Sequence, residues 1–253
     1  DRQSNMRPPN TIGVSAGFHD AGVSVISPDG DILFAAHSER YSRIKNDPNL
    51  NQDIIDEALS YGNYGTVAWY ERPWLKKTRQ MYSGEWSKIF RDKSPKQHLA
   101  EVGITRPIKT YSHHLSHAAA GFQTSPFEKA VVVVIDAIGE WDTYSAYLAS
   151  YDDKGIAQYK PVLKKRYPNS MGLFYSAMTE AVGLKPMEEE YILMGMAAYG
   201  MPNWYRDVWS ACVNEDHNQT WKINFHAGIP KGVLPDIDKN SLALSAQLVV
   251  ERC

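Results

Sequence analysis

The amino-acid sequence predicts an α/β fold built on a β-meander that is used twice. Near the start, the β-prone runs 11–15, 23–27 and 31–37 are joined by short turns and followed by a helical pattern. In the second half, the apolar β-branched run 130–135 is followed by strand patterns over 143–150 and 157–166. In both places the order is strand, small-residue turn, strand, turn, strand, then helices, which is an internal repeat of architecture and not of sequence.

The first meander bends at Pro28-Asp29-Gly30, where glycine accepts a left-handed backbone. A helix is expected over 51–61 from the spacing of Ile54, Ile55, Ala58 and Leu59. A strand follows over 66–70. The stretch 71–103 is aromatic and basic, with Trp74, Tyr82, Trp86 and Phe90 among lysines and arginines, and reads as surface helices. A short strand over 107–111 feeds a helix that starts in Tyr111-Ser-His-His-Leu-Ser-His117. The run 130–135 reads as a central strand buried on both faces, with 136–142 as the turn after it. Helices are expected over 170–183, 188–200, 204–213 and 241–253.

Composition removes several function classes. The formal net charge of -2 provides no field for nucleic acid or anionic membrane. No apolar run approaches the roughly 20 residues of a membrane span. Cys212 and Cys253 are the only cysteines and lie far apart, so a disulfide framework is not expected and a reducing, cytoplasmic setting is. Residues 1–10 read as a disordered leader. The pattern over 241–253 lacks a helix stop signal, so the chain reads as one part of something larger.

Chemistry concentrates at a few places. His113 and His117 are four residues apart, which stacks them on one helix face. With Asp136 at a strand end they form a donor set suited to a divalent metal, although the same spacing also suits a solvent-facing helix start. Residues 17–22 and 137–140, with Gly17, Gly139 and Glu140, are turns whose backbone N–H groups are candidates for phosphate oxygens. His19, next to Asp20, is a candidate base, and the alternative is that the pair caps the turn. Arg40 and Lys45, near Glu39 and Arg43, are candidates for holding anionic substrate groups.

An ordered set of motifs resembles the O-carbamoyltransferases of the nodulation-factor, tobramycin and cephamycin type. It comprises Gly17-Phe-His19-Asp20, Ser38-Glu39-Arg40 through Arg43, Lys45 and Asp47, then His113-His-Leu-Ser-His117-Ala, Ser125-Pro-Phe127, Asp136 with Gly139-Glu140, Ser170-Met-Gly172, Met194-Gly195 and Tyr199-Gly200. The resemblance implies an actin-like, Hsp70-like (ribonuclease H-like) ATPase fold, with a first lobe over 11–128 and an incomplete second lobe over 129–253. It implies that carbamoyl phosphate and ATP yield a carbamoyl-adenylate, whose carbamoyl group passes to a hydroxyl-bearing small-molecule acceptor. It further implies that His113, His117 and Asp136 ligate a divalent metal, expected to be Fe2+, and that His19 assists the acceptor hydroxyl.

The chain departs from the family pattern at Ala137, where glycine is usual, at Ile192, where lysine is usual, and at Ala198, where proline is usual. Members of the family are about twice as long, so the chain is expected to need a C-terminal half or a partner chain to complete transfer. Two other readings are a threonylcarbamoyl-type tRNA-modifying protein and a non-catalytic nucleotide- or metal-binding module.

Overall fold

The computed structural model describes residues 8–215 and 220–253. The leader expected over 1–10 lies outside the described residues as far as residue 7, and Asn10 already begins a strand. The chain divides into two compact units, one running to Ser116 and one from His117 to Cys253. The division falls inside a helix that the sequence reading assigned to a first lobe ending at 128.

The first unit carries β1 (Asn10–Ser15), β2 (Gly22–Ile26), β3 (Ile32–His37), β4 (Tyr64–Trp69) and β5 (Ile108–Thr110) in the order β3-β2-β1-β4-β5. β1, β2 and β3 pair antiparallel, while β4 runs parallel to both β1 and β5. This is the α/β class that the sequence predicts. Between β3 and β4 lie a one-turn helix α1 (Glu39–Ser42) and α2 (Gln52–Ser60). Asn51 caps α2 by accepting the Ile54 N–H at 3.0 Å. Between β4 and β5 lie α3 (Pro73–Tyr82), α4 (Trp86–Arg91) and α5 (Pro95–Glu101). α5 opens with a reciprocal capping box of Ser94 and Gln97. Alternate residues of the strands, Ile12, Val14, Val23, Val25 and Val67, bury against Ile54, Ile55 and Leu99, as the period-two pattern dictates.

α6 (His113–Gln123) leads into the second unit, where β6 (Lys129–Gly139), β7 (Asp142–Tyr151) and β8 (Ala157–Arg166) form an antiparallel sheet in sequence order. α7 (Met171–Ala181), α8 (Glu190–Ala197), α9 (Tyr205–Cys212) and α10 (Lys239–Arg252) enclose a core of Phe174, Met178, Leu193, Val208, Phe225, Ala246 and Val249.

Two expectations are corrected here. β6 is not a central strand: only β7 lies beside it among the described residues, and Val131, Val133 and Ile135 are 64%, 49% and 53% exposed. A β-branched run reports fit to a pleated surface and does not count neighbours, so edge and centre read alike. Nor do residues 136–139 form a turn. After an irregularity between Ile135 and Gly139 the ladder resumes at the Gly139–Asp142 pair, leaving Glu140 and Trp141 as a two-residue hairpin turn. Ile138 and Trp141 pack on the second core, which holds this stretch extended.

Candidate functional site

The first site element is the connection from β1 to β2. Gly17 has φ +91 and Asp20 φ +50, so the chain turns sharply there. The turn is clasped from outside: the Gly17 N–H donates to the Pro48 carbonyl and the Ala21 N–H to the Asp47 carbonyl, both at 2.8 Å. Ser38 N–H in turn donates to the Ala21 carbonyl at 2.7 Å. The Gly17 amide is therefore committed to the protein and does not face a phosphate as the sequence reading expected. The clasp is itself braced, because the buried Asp47 carboxylate accepts the Asn49 N–H at 3.0 Å. Burial pushes the Asp47 carboxyl up, but hydrogen bonds from Ser42 and Asn49 outweigh it and hold the group below the usual carboxylate range.

On this turn His19 Nδ1 lies 2.8 Å from Asp20 Oδ2, with side chains 47% and 35% exposed. With the proton on Nδ1 the ring donates to Asp20, which leaves the lone pair on Nε2, the tautomer a general base needs.

The second element is α6. Ser112 Oγ accepts the Leu115 N–H at 3.3 Å, and Ser116 Oγ donates to the Tyr70 carbonyl at 2.9 Å, which ties the helix start to the end of β4. His113 and His117 are one turn apart on this helix. His117 and Asp136 bring ligand atoms within 4.8 Å of each other, and a nitrogen of His113 falls within the same distance of both. Two imidazoles and a carboxylate grouped in this way are a donor set of the kind that holds a divalent first-row ion. The geometry thus brings together the three donors singled out from the sequence.

Asp136 is set by its surroundings. Its Oδ1 accepts the Ala137 N–H at 2.7 Å. Ser170, which caps α7 by accepting the Leu173 N–H at 3.0 Å, donates its hydroxyl to the Ala137 carbonyl at 2.6 Å. Gly172 sits so close behind that a Cβ there would be 2.7 Å from Ala137 N and Cα. Glu140 has φ +61 and is buried, as a constrained residue of the hairpin.

Sequence reasoning missed Glu71. Its Oε2 lies 3.9 Å from His113 Nδ1, and its Oε1 accepts from Lys76 at 3.0 Å. Burial pushes this carboxyl up, yet the His113 ring and the Lys76 ammonium outweigh burial and keep it below the usual carboxylate range. A carboxylate behind a candidate ligand histidine orients the ring. The signal was available: Glu71 stands just past the end of a strand parallel to β1, where α/β sheets place functional groups. Arg40 is 76% exposed and leans on Glu39 at 3.6 Å, and Lys45 is exposed on the loop that follows.

The sequence profile described as "Carbamoyltransferase N-terminus" matches residues 76–229. The chain is 29% identical over 241 residues to the uncharacterized protein sll1178 of Synechocystis sp., covering 84% of this chain and 38% of that protein. It is 29% identical over 221 residues to the nodulation protein NolNO of Sinorhizobium fredii, covering 81% of this chain and 31% of that protein. It therefore spans about a third of the length of these relatives. Among solved structures, the Ppx/GppA phosphatase of Aquifex aeolicus aligns over 77% of this chain and 65% of its own, at 13% identity and a TM-score of 0.28. At that score the likeness carries no argument.

Proposed function

Because the chain belongs to the carbamoyltransferase N-terminus family, we propose that it is the part of an ATP-dependent O-carbamoyltransferase that holds the metal and activates the acceptor. The observation that carries this reading is the grouping of His113, His117 and Asp136 within 4.8 Å. These three residues would hold the ion. When bound, it supplies a positive charge that offsets the phosphate of the donor.

In this reading the donor is carbamoyl-adenylate, made from carbamoyl phosphate and ATP elsewhere in the whole protein. The acceptor oxygen attacks the carbamoyl carbon. Its proton passes to His19 Nε2, the new C–O bond forms, and the bond from the carbamoyl carbon to the adenylate oxygen breaks, releasing AMP. Asp20 holds the His19 ring in the accepting tautomer and stabilises the imidazolium that results. Glu71 orients His113, and Ser170 keeps the end of β6 in place. The clasp of residues 47 and 48 fixes the His19 turn, so the base need not be ordered at the moment of reaction.

Metal titration of the purified chain tests this. Anaerobic Fe2+, and separately Zn2+ and Mn2+, are measured against wild type, His117→Ala and Asp136→Ala. One ion per chain, with affinity falling at least about tenfold in each variant, is expected. Absence of binding in the wild type, or binding that neither variant changes, overturns the proposal.

A further inference from the structure

A small cleft of about 30 Å³ opens within the first unit, and none of the roles above uses it. It lies outside the C-terminal ends of the adjacent parallel strands β1 and β4, the place where open α/β sheets bind ligands. Its inner end is formed by Gly17 and His98, and its outer walls by α3, α5 and the loop between α4 and α5. Gly17 keeps this end open, because a Cβ there would meet His98 Nε2 at 2.7 Å. His98 is buried and stacks on Trp69 with ring centroids 5.8 Å apart.

The charges around the cleft are unevenly committed. Of its two carboxylates, Glu71 is engaged by Lys76 at 3.0 Å and Asp92 by the Gln80 amide at 2.9 Å. Of its three lysines, Lys93 meets only Glu101, in an exposed pair worth little. Lys77 is exposed and has no salt bridge or hydrogen bond among the described residues. Two exposed ammonium groups therefore stand beside the cleft without a strong anion. Behind the wall, Trp69 Nε1 and Gln80 Oε1 are buried with no hydrogen-bond partner among the described residues. The Gln80 amide orientation is set by Asp92, so the orphan there is an acceptor. The cleft also touches both halves of the proposed chemistry, since Gly17 is two residues before His19 and Glu71 faces His113.

We propose that this cleft is the docking site of the acceptor, and that the acceptor carries an anionic group, a carboxylate or a phosphate, beside the hydroxyl that is carbamoylated. Lys77 and Lys93 grip the anionic group at the mouth, and the hydroxyl points inward past Gly17 toward the His19 turn. The inference rests on the function proposed above for the role of the ligand, but binding itself needs neither metal nor donor.

The test is a titration of the chain with inorganic phosphate and, separately, with acetate, against chloride at equal ionic strength. The readouts are the Trp69 indole N–H and His98 ring C–H resonances. Saturable shifts with phosphate or acetate are expected, and which anion gives them identifies the group. The double variant Lys77→Gln/Lys93→Gln, which changes only exposed side chains, is expected to weaken binding about tenfold or more. His117→Ala is carried as a control: it removes the proposed metal site and is expected to leave anion binding unchanged. Shifts no larger than with chloride, or shifts equal in the double variant, overturn the cleft proposal. Absence of metal binding in the wild type, with anion binding retained, would overturn the function reading of the metal group alone.

Discussion

Gly172→Ala probes the contact that sets the candidate ligand Asp136. Gly172 lies in the first turn of α7, where alanine alone would favour the helix by about 1 kcal/mol. The added Cβ, however, would stand 2.7 Å from Ala137 N and Cα and 3.0 Å from the Asp136 carbonyl carbon. These are backbone atoms, held by the Ser170 hydroxyl on the Ala137 carbonyl, and cannot rotate away. Restoring a contact near 3.7 Å needs a displacement of about 1 Å between α7 and the end of β6. That stretches the 2.6 Å bond from Ser170 to the Ala137 carbonyl beyond hydrogen-bond range. Overpacking costs about 1–3 kcal/mol and the lost bond about 1 kcal/mol, so after the helix gain the variant is expected to be destabilised by about 1–3 kcal/mol. Asp136 moves with the strand end, and metal affinity should fall about tenfold or more. Urea unfolding followed by circular dichroism gives the first quantity and metal titration the second. A variant as stable as wild type, with unchanged metal affinity, would refute the claim that this glycine positions Asp136.

Two further outcomes follow from buried groups. Burial, followed by repulsion from Lys93, holds the His98 imidazole below its ordinary pKa, with Lys76 adding to the depression and Glu101 and Asp92 opposing it. The unfolded chain then takes up the proton first, so this contribution is complete above about pH 6.5 and is lost as pH falls toward the depressed folded value. The thermal midpoint of wild type should therefore drop more between pH 7 and pH 5 than that of His98→Gln, and parallel profiles would count against the assignment. Burial pushes the Cys212 thiol up to about 12, leaving on the order of one thiolate in ten thousand at pH 8. A disulfide-exchange reagent should label at most Cys253 in the native chain and both cysteines after denaturation, and rapid native labelling of Cys212 would show that α9 opens.

Much was legible in the sequence because it is local. The two meanders, the glycine turn after β1, the helix at His113 and the four-residue spacing of the histidines each depend on neighbours within a few positions, where period and turn chemistry act. The ordered motifs carried the family, and they carried the metal donors as an expectation. What local chemistry does not contain is the count of neighbours and the meeting of distant segments. The run 130–135 carries the same residues at an edge as it would at a centre, so its exposed row of Val131, Val133 and Ile135 could be read only from the sheet order. Glu71 beside His113, Gly172 against Ala137, and His98 over Gly17 join residues 35 to 81 positions apart along the chain. Such contacts arise from how whole elements pack, and no short-range signal encodes them. Composition and pattern chose the elements and the candidate ligands, and packing alone decided which carboxylate lies beside His113, which glycine packs against Ala137, and where a cleft remains.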